Sequence, residues 1–198
     1  QYFESFDGKK VPYLFFESKR YKYKNNIVIF HGMTEPIDRY AEFGEFLASN
    51  GYNVFVMEIR GHGELKDSEI GDFGKGGMKD IDSFFKKVLS KVGATPNNTT
   101  IFGHSMGSLI GTEWGIRNKY KYFILSGFPL KSQLIAIGGN FATFLEKVIF
   151  RKVSAFNKIS EKWNANFEPN KTKFDWLTRD EIENKKYENN ELCGYSVT

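Results

Sequence analysis

The run Gly103-His104-Ser105-Met106-Gly107 places a serine between two glycines, each two positions away. A strand is predicted over Thr100 to Gly103 and a helix over Ser105 to Arg117, so the serine falls at a strand-to-helix turn. Glycine relieves the clash that a side chain would cause at the flanking positions, and the turn holds the hydroxyl out beyond the strand. The helix begins at the same point, so its free N–H groups favour an anion there. The pattern predicts a nucleophilic serine for acyl transfer, and the alternative is a glycine-rich packing turn.

A second segment, His31-Gly32-Met33, follows the predicted strand Ile27 to Phe30. Acyl transfer needs hydrogen-bond donors that face the nucleophile and stabilise the developing oxyanion. We expect the backbone N–H groups of Met33 and Met106 to form this oxyanion hole, although the segment taken alone is equally typical of a turn. The residues expected to support the site are His31, Gly32, Gly103, His104 and Gly107.

A third loop, Arg60-Gly61-His62-Gly63, follows the predicted strand Val54 to Ile59. The sequence permits a catalytic or metal-binding role for His62 but favours a role in shaping the loop beside the site. Glu58 could pair with a neighbouring base. The chain has one cysteine and three histidines, which excludes a cysteine-based zinc site and leaves little for a histidine-rich one. We therefore expect no metal, and the serine chemistry needs no cofactor.

Strand and helix signals alternate through the first two thirds of the chain, which favours an α/β fold with a mainly parallel sheet covered on both faces. The clearest helix carries an apolar stripe from Ile81 to Val92, and Gly93 is expected to stop it. Another helix is predicted over Ile37 to Asn50. Its expected buried face comprises Tyr40, Phe43 and Leu47. The predicted strands are Val11 to Glu17, Ile27 to Phe30, Val54 to Ile59, Thr100 to Gly103 and Tyr122 to Ser126.

The pattern changes after Phe128, where the sequence becomes rich in Phe, Ile and Leu and is interrupted by Gly138-Gly139. Further on, Thr178-Arg179-Asp180-Glu181 fits a capping box that opens a short charged helix. No strand is predicted in this part of the chain. We therefore predict two parts, an α/β core over residues 1–129 and an incomplete helical region over residues 130–198.

Charge and hydropathy limit the partners and the location that are expected for this protein. The 198 residues carry a formal charge of +4, and the basic residues are scattered. No arginine-rich groove or nucleic-acid motif is present, so no nucleic-acid partner is expected, whereas peripheral contact with an anionic membrane stays open. No 18-residue apolar run and no secretory signal occur, so we expect a cytoplasmic protein.

Taken together, these motifs resemble the monoacylglycerol lipase and lysophospholipase group of α/β-hydrolases, also described as serine aminopeptidase-like hydrolases. The resemblance spans the chain in order. It is carried by His31-Gly32-Met33-Thr34-Glu35 through Arg39-Tyr40, Gly51-Tyr52-Asn53-Val54, Arg60-Gly61-His62-Gly63, Gly103-His104-Ser105-Met106-Gly107-Ser108, Phe174-Asp175-Trp176-Leu177-Thr178-Arg179-Asp180 and Leu192-Cys193-Gly194.

The resemblance implies a serine hydrolase that cleaves carboxylic esters of single-chain lipids, such as lysophospholipids or monoacylglycerols, through an acyl-enzyme on Ser105. It implies that the amides of Met33 and Met106 hold the oxyanion. It also implies a helical cap over residues 130–198 that closes over an acyl-chain pocket. Cap residues suited to line that pocket include Leu134, Phe141 and Phe144.

Two members of the catalytic triad expected from the resemblance have no candidate in the sequence. The family order is Ser, then Asp, then His, but no histidine follows Ser105, and Asp175 and Asp180 fall in the cap-like segment rather than after a strand. Two further β-α units, about 60 residues, would supply both partners. We therefore predict a fragment that lacks C-terminal strands and is inactive alone, with an exposed sheet edge. A second copy or a separate C-terminal segment would cover that edge.

The sequence leaves alternatives to lipid-ester hydrolysis open. A short-chain carboxylesterase or a peptidase of the same fold would use the same serine. A non-catalytic lipid-binding or partner-binding module would explain the missing histidine. Nucleotide binding is excluded, because the glycine-rich run from Gly71 to Gly77 has neither the P-loop nor the dinucleotide-binding spacing.

Overall fold

The computed structural model of the chain describes residues 1–20, 25–65, 76–128 and 162–195. Its strands are β1 (Tyr2–Glu4), β2 (Lys10–Phe16), β3 (Asn25–Phe30), β4 (Tyr52–Met57), β5 (Thr99–His104) and β6 (Tyr122–Ser126). They form one sheet in the order β1-β2-β4-β3-β5-β6. The last four strands in this order run parallel, whereas β1 and β2 add to the edge as antiparallel strands. The predicted mainly parallel α/β sheet is confirmed.

The described helices are α1 (Ala41–Ser49), α2 (Gly77–Lys87), α3 (Met106–Arg117) and α4 (Glu181–Glu188). Short 3-10 turns occupy Ile37–Tyr40, Leu89–Val92 and Ala165–Phe167. Among these described helices, none has both the length and the apolar character needed to cross a bilayer.

The central strand β3 is buried on both faces, as a strand inside a parallel sheet should be. Val28 and Phe30 belong to the apolar cluster that the sheet shares with α2 and α3. Ile27 and Ile29 alternate with them and face the opposite cluster, which includes the turn Ile37–Tyr40. Helices and turns therefore cover both faces of the sheet, and the carboxyl ends of its parallel strands lie at one edge.

The helix predicted over Ile37 to Asn50 is split into a 3-10 turn and α1, and its predicted face is partly wrong. Phe43 is 36% exposed, whereas Gly44 and Ala48 are buried. Gly44 faces the sheet because Phe16 fills the space there, and a Cβ on Gly44 would lie 2.4 Å from the Phe16 ring. Phe16 of β2 thus packs at the point where the helix offers only Gly44, whereas Tyr40 and Leu47 of the predicted face do pack on the sheet.

The apolar stripe from Ile81 onward is buried as predicted, and Ile81, Phe84 and Leu89 have no exposed surface. The regular helix α2 ends at Lys87, earlier than the stripe, and the chain continues as a 3-10 turn. Gly93 ends that turn with a φ of 68°, which confirms the predicted stop at a residue that accepts left-handed backbone.

The predicted capping box is wrong by two positions. The N-cap of α4 is Asp180, whose side chain accepts the N–H groups of Ile182 and Glu183. Thr178 instead accepts the N–H of Asp180 at 3.2 Å. A carboxylate that receives two helix N–H groups is a stronger cap than a hydroxyl placed two residues earlier.

Strand β6 has one neighbour, β5, among the described strands. Three of its apolar side chains, Tyr122, Ile124 and Leu125, are 52%, 50% and 39% exposed. The apolar edge that the sequence predicted is therefore open in the described part of the chain. That a second copy of the chain or a further segment covers this edge stays a prediction.

Candidate functional site

Ser105 occupies the turn between β5 and α3. Its backbone has φ 50° and ψ −116°, a conformation that non-glycine residues rarely adopt and that stores strain. The Ser105 N–H donates to the carbonyl of Ser126 on β6 at 2.8 Å. The helix starts one residue after Ser105, so the serine is the N-cap rather than the first helical residue that the sequence predicted. The hydroxyl makes no capping hydrogen bond and is left available for other chemistry.

The two glycines that flank Ser105 are required by close backbone contacts. A Cβ on Gly103 would lie 2.4 Å from the Cα of Ser108 in the next helical turn. A Cβ on Gly107 would lie 2.1 Å from the carbonyl oxygen of Phe30. Neither distance leaves room for a carbon atom. The spacing of the glycines therefore reflects the contact of the turn with its own helix and with β3.

These contacts place the end of β3 beside the Ser105 turn. Phe30 is the register partner of Gly103, so the residues after each strand emerge side by side at the carboxyl edge of the sheet. Met106 is the first residue of α3, and its N–H has no acceptor within the helix. The loop 31–35, which we call the oxyanion loop, thus lies next to a free helix N-terminus, an arrangement that favours negative charge.

The Gly32–Met33 peptide of the oxyanion loop is held from both sides. The Gly32 N–H donates to Glu35 Oε1 at 2.5 Å, and the Gly32 carbonyl lies 2.7 Å from His31 Nδ1. Because a peptide unit is planar and trans, fixing the Gly32 carbonyl also fixes the direction of the Met33 N–H. His31 and Glu35 therefore set the orientation of the amide that the sequence assigned to the oxyanion hole.

Glu35 was not assigned a role from the sequence, although it lies within a quoted motif. It is 7% exposed, and its carboxylate accepts from Tyr40 at 2.7 Å and from Arg39 Nε at 3.0 Å, besides the Gly32 N–H. Each oxygen of the buried carboxylate thus has a donor, which is how a buried charge is tolerated. The sequence signal for this role was the i,i+4 spacing of Glu35 and Arg39.

His31, Glu58 and His62 form a buried cluster behind the oxyanion loop. His31 Nε2 accepts the Ile59 N–H at 2.9 Å and lies 3.2 Å from Glu58 Oε1. Because that nitrogen accepts a hydrogen bond from Ile59 in the neutral ring, it donates to Glu58 Oε1 only when it is protonated, and the Ile59 hydrogen bond is then given up. The rings of His31 and His62 are 5.1 Å apart, edge to face. The pairing that the sequence left open for Glu58 is therefore with His31.

The two buried histidines have pKa values shifted in opposite directions. Burial alone would lower the pKa of His31, but the hydrogen-bond contact and charge of Glu58 outweigh it and raise the pKa. Burial lowers the pKa of His62 to about 3, and the neighbouring His31 adds to the shift. His62 is therefore neutral at pH 7, and His62 Nε2 has no hydrogen-bond partner among the described residues.

The loop that carries His62 is anchored by Arg60. The guanidinium donates twice to Asp80 on α2, at 2.6 and 2.7 Å, and also to Asp7 at 2.8 Å. Asp80 has no exposed surface, so this is a buried, bidentate pair. The loop-shaping role that the sequence favoured for this segment fits these contacts.

No histidine in the described residues serves Ser105 as a base. His31 and His62 are 0% and 2% exposed, and their Nδ1 atoms contact the backbone carbonyls of Gly32 and Arg60 rather than Ser105. His104 points along the sheet edge, where its Nδ1 lies 3.2 Å from the hydroxyl of Ser126. Within the described ranges, no side chain hydrogen-bonds to the Ser105 hydroxyl.

Asp175 and Asp180 serve local structure. Asp175 accepts from the Thr172 hydroxyl at 2.5 Å and from the Lys171 N–H at 2.6 Å, and the Thr172 bond leads the interactions that lower its pKa. Asp180 caps α4. Neither aspartate follows a strand or contacts a histidine through a described hydrogen bond, so the triad acid is not assigned to either.

Other expected site features fall partly outside the described residues. Leu134, Phe141 and Phe144, the expected pocket residues, lie there. Within the described ranges, no group of three or more His, Cys, Asp or Glu residues is arranged to hold a metal ion.

Comparison with known families gives one broad match. The family model Hydrolase_4, described as serine aminopeptidase, S33, matches residues 21–198. Among curated proteins, a monoglyceride lipase from Saccharomyces cerevisiae is 27% identical over 143 residues. That alignment covers 68% of this chain and 44% of the yeast protein, so the chain spans less than half the length of this relative.

Solved structures of similar shape include two esterases or lipases. A thermostable carboxyl esterase from Bacillus coagulans, solved with glycerol, has a TM-score of 0.74 and 23% identity. The comparison covers all of this chain and 66% of the esterase. A soluble variant of the S. cerevisiae monoglyceride lipase, solved with a substrate analogue, has a TM-score of 0.67, 22% identity and coverage of 97% and 61%. At this level of identity, the likeness shows the fold.

Proposed function

Because the chain belongs to the serine aminopeptidase S33 family and has the α/β-hydrolase fold, we propose that it carries the acyl-transfer site of a serine ester hydrolase. The observation that carries this proposal is the strained turn at Ser105. A non-glycine residue at φ 50°, whose hydroxyl is free, sits at a helix N-terminus beside a loop with a fixed amide. Strain of this kind concentrates at functional sites.

In the proposed reaction, the Ser105 hydroxyl attacks the ester carbonyl carbon and gives its proton to a general base. The N–H groups of Met33 and Met106 donate to the carbonyl oxygen as it becomes an oxyanion. The base returns the proton to the leaving alcohol as the ester bond breaks, which leaves an acyl group on Ser105. Water, deprotonated by the same base, then releases the carboxylic acid and restores the serine.

We propose that the base and its orienting acid lie outside the 198 residues of this chain. Two of the three histidines are buried in the cluster behind the oxyanion loop, and His104 contacts Ser126 rather than Ser105. A serine without a base is a weak nucleophile at neutral pH. The chain alone is therefore expected to be inactive or nearly so, with residual rate from the oxyanion donors.

The proposed substrates are carboxylic esters of single-chain lipids, of the monoacylglycerol or lysophospholipid type. The similarity to a yeast monoglyceride lipase supports this class. We propose that Leu134, Phe141 and Phe144 contribute to the acyl-chain pocket of a helical cap. A short-chain ester or a peptide is the competing substrate class, since the same elbow and oxyanion donors would serve either.

A fluorophosphonate probe followed by intact-mass measurement tests the nucleophile. The 198-residue chain, of mass 22.8 kDa, is expected to take up little probe. The protein expressed from its complete reading frame is expected to take up one equivalent at Ser105, and its Ser105→Ala variant none. A full equivalent on Ser105 of the 22.8 kDa chain would refute the assignment of the base. No adduct on the longer protein would favour a non-catalytic lipid-binding or partner-binding module.

The substrate class is tested by acyl-chain length. A series of p-nitrophenyl esters from acetate to palmitate, with the longer protein and its Ser105→Ala variant, reports kcat/KM against chain length. We expect kcat/KM to rise with chain length through burial of each additional methylene in an apolar pocket. A maximum at acetate would instead indicate a short-chain esterase.

A further inference from the structure

Thr34, in the oxyanion loop, has an uncommon backbone conformation. Its φ is 59°, in the left-handed region, which a β-branched side chain rarely adopts without support from its surroundings. Thr34 is 2% exposed, and it directly follows Met33, whose amide is the proposed oxyanion donor. Whatever holds Thr34 in this conformation also holds the peptide next to that donor.

The support comes from the far end of the chain. The Tyr187 hydroxyl lies 3.0 Å from the Thr34 hydroxyl and 3.3 Å from the Thr34 carbonyl oxygen. The Gly194 N–H donates to the same carbonyl at 3.0 Å. The Thr34 hydroxyl in turn donates to the Met33 carbonyl at 2.7 Å. Because the Thr34 proton is used there, the proton between the two hydroxyls comes from Tyr187.

Tyr187 is itself fixed in place. It is 5% exposed and lies between the Arg39 guanidinium, 4.8 Å from its ring centre, and Phe174, at a centroid distance of 4.8 Å. Burial raises the pKa of Tyr187 to about 12, so its hydroxyl keeps its proton at neutral pH. Gly194 fits against the same rings, since a Cβ there would lie 2.7 Å from Phe174 and 3.0 Å from Tyr187.

We propose that residues 181–195 form a clasp on the oxyanion loop and that Tyr187 is a positioning residue for ester hydrolysis. Its hydroxyl holds Thr34, and through the Thr34 hydroxyl it orients the Met33 carbonyl. His31 and Glu35 fix the peptide before Met33, and the clasp fixes the peptide after it. This inference rests on the proposed function, because it assigns Tyr187 to the geometry of the Met33 amide.

The chain offers a matched pair of variants. Tyr187→Phe removes only the hydroxyl that contacts Thr34. Tyr195→Phe removes a hydroxyl of the same clasp, which donates to the carbonyl of Gly61 at 3.4 Å, outside the oxyanion loop. Both variants are made in the protein expressed from its complete reading frame, and thermal denaturation checks that each folds.

The first measurement is amide hydrogen exchange in peptides that cover residues 31–40. We expect exchange there to be about 10-fold faster in Tyr187→Phe, from one lost hydrogen bond to a strained loop. Tyr195→Phe should match the wild type. Equal exchange in all three proteins would overturn the clasp, whether or not the protein hydrolyses any ester.

The second measurement separates kcat from KM with the preferred ester. Removing an oxyanion donor outright costs about 10²- to 10³-fold in kcat, so a loosened donor in Tyr187→Phe should cost about 10-fold with little change in KM. Thr34→Gly removes the strain and the hydroxyl but keeps the backbone carbonyl that lies 3.3 Å from the Tyr187 hydroxyl, so adding Tyr187→Phe to it should cost less in kcat than Tyr187→Phe costs in the wild type. Faster loop exchange with unchanged kcat would refute the positioning role. A wild-type protein inert to every ester and probe would instead refute the proposed function.

Discussion

Gly107→Ala offers a direct test of how the Ser105 turn contacts β3. At an open position inside a helix, replacing glycine by alanine stabilises a protein by about 0.5–1 kcal/mol. At Gly107 the new methyl carbon would lie 2.1 Å from the carbonyl oxygen of Phe30 and 2.5 Å from that of His31. An ordinary contact needs more than an extra ångström, and both obstacles are backbone atoms of a central strand.

The helix and the strand must therefore separate, and overpacking of this kind costs about 1–3 kcal/mol or more. We expect a net loss of about 2 kcal/mol or more in the free energy of unfolding, which corresponds to a fall in Tm of roughly 4–8 °C for a chain of this length.

Thermal and urea denaturation of the 198-residue chain measure this loss, and Gly93→Ala is the control. Gly93 has a φ of 68°, and a Cβ added there would have no other atom within 4 Å. The free energy of unfolding of Gly93→Ala should therefore fall by about 1–2 kcal/mol from backbone strain alone. Hydrogen exchange in the oxyanion loop should rise above the global change only in Gly107→Ala. A Gly107→Ala chain as stable as the wild type, or more stable, would refute the close contact between the Ser105 turn and β3.

Further predictions concern pH and the buried ion pair. The pKa of His62 falls from 6.5 to about 3 in the folded chain, so the free energy of unfolding should decrease as the pH drops through that window, and His62→Gln should flatten the decrease in urea titrations. His31 has a raised pKa, so its contribution is fully present below its ordinary pKa of 6.5 and is lost as the pH rises through the raised value. His31→Gln should therefore lower the free energy of unfolding most at low pH, and an equal loss at every pH would contradict the raised pKa of His31. Asp80→Asn should lower the free energy of unfolding by about 3 kcal/mol, because it breaks a buried ion pair with Arg60. Asp7→Asn should lower it by about 1 kcal/mol or less, because the Asp7 side chain is 31% exposed.

Features set by neighbouring residues were predictable from the sequence. The apolar run Ile27 to Phe30 predicted a strand, and its lack of alternation with polar residues agrees with the burial of β3 on both faces. The stripe from Ile81 to Val92 identified a helix, and the glycines around Ser105 identified the strained turn. In each case the physical requirement falls on residues a few positions apart, so it is visible in the sequence as a characteristic spacing of residue types.

Competing local signals limited the rest of the prediction. Thr178 and Asp180 both suit an N-cap, and the choice depends on which oxygen receives the helix N–H groups in the folded chain. Phe43 fits the apolar face of α1 by its spacing and contacts Phe102 of β5, but it stays 36% exposed, whereas Phe16 of β2 packs against Gly44. How far each apolar side chain of α1 is covered is decided by the packing of the helix on the sheet, which periodicity along one element does not contain.

The position of the proposed oxyanion donor depends on contacts that no local pattern specifies. Gly107 brings α3 against the end of β3, His31 and Glu35 hold the Gly32–Met33 peptide, and Tyr187 reaches Thr34 across 153 positions of sequence. A chain could keep every residue from Gly103 to Gly107 and still lose the donor geometry through any one of these contacts. The motif therefore predicts the reaction, whereas the rate of the proposed reaction should depend on residues that only the folded structure brings to the loop.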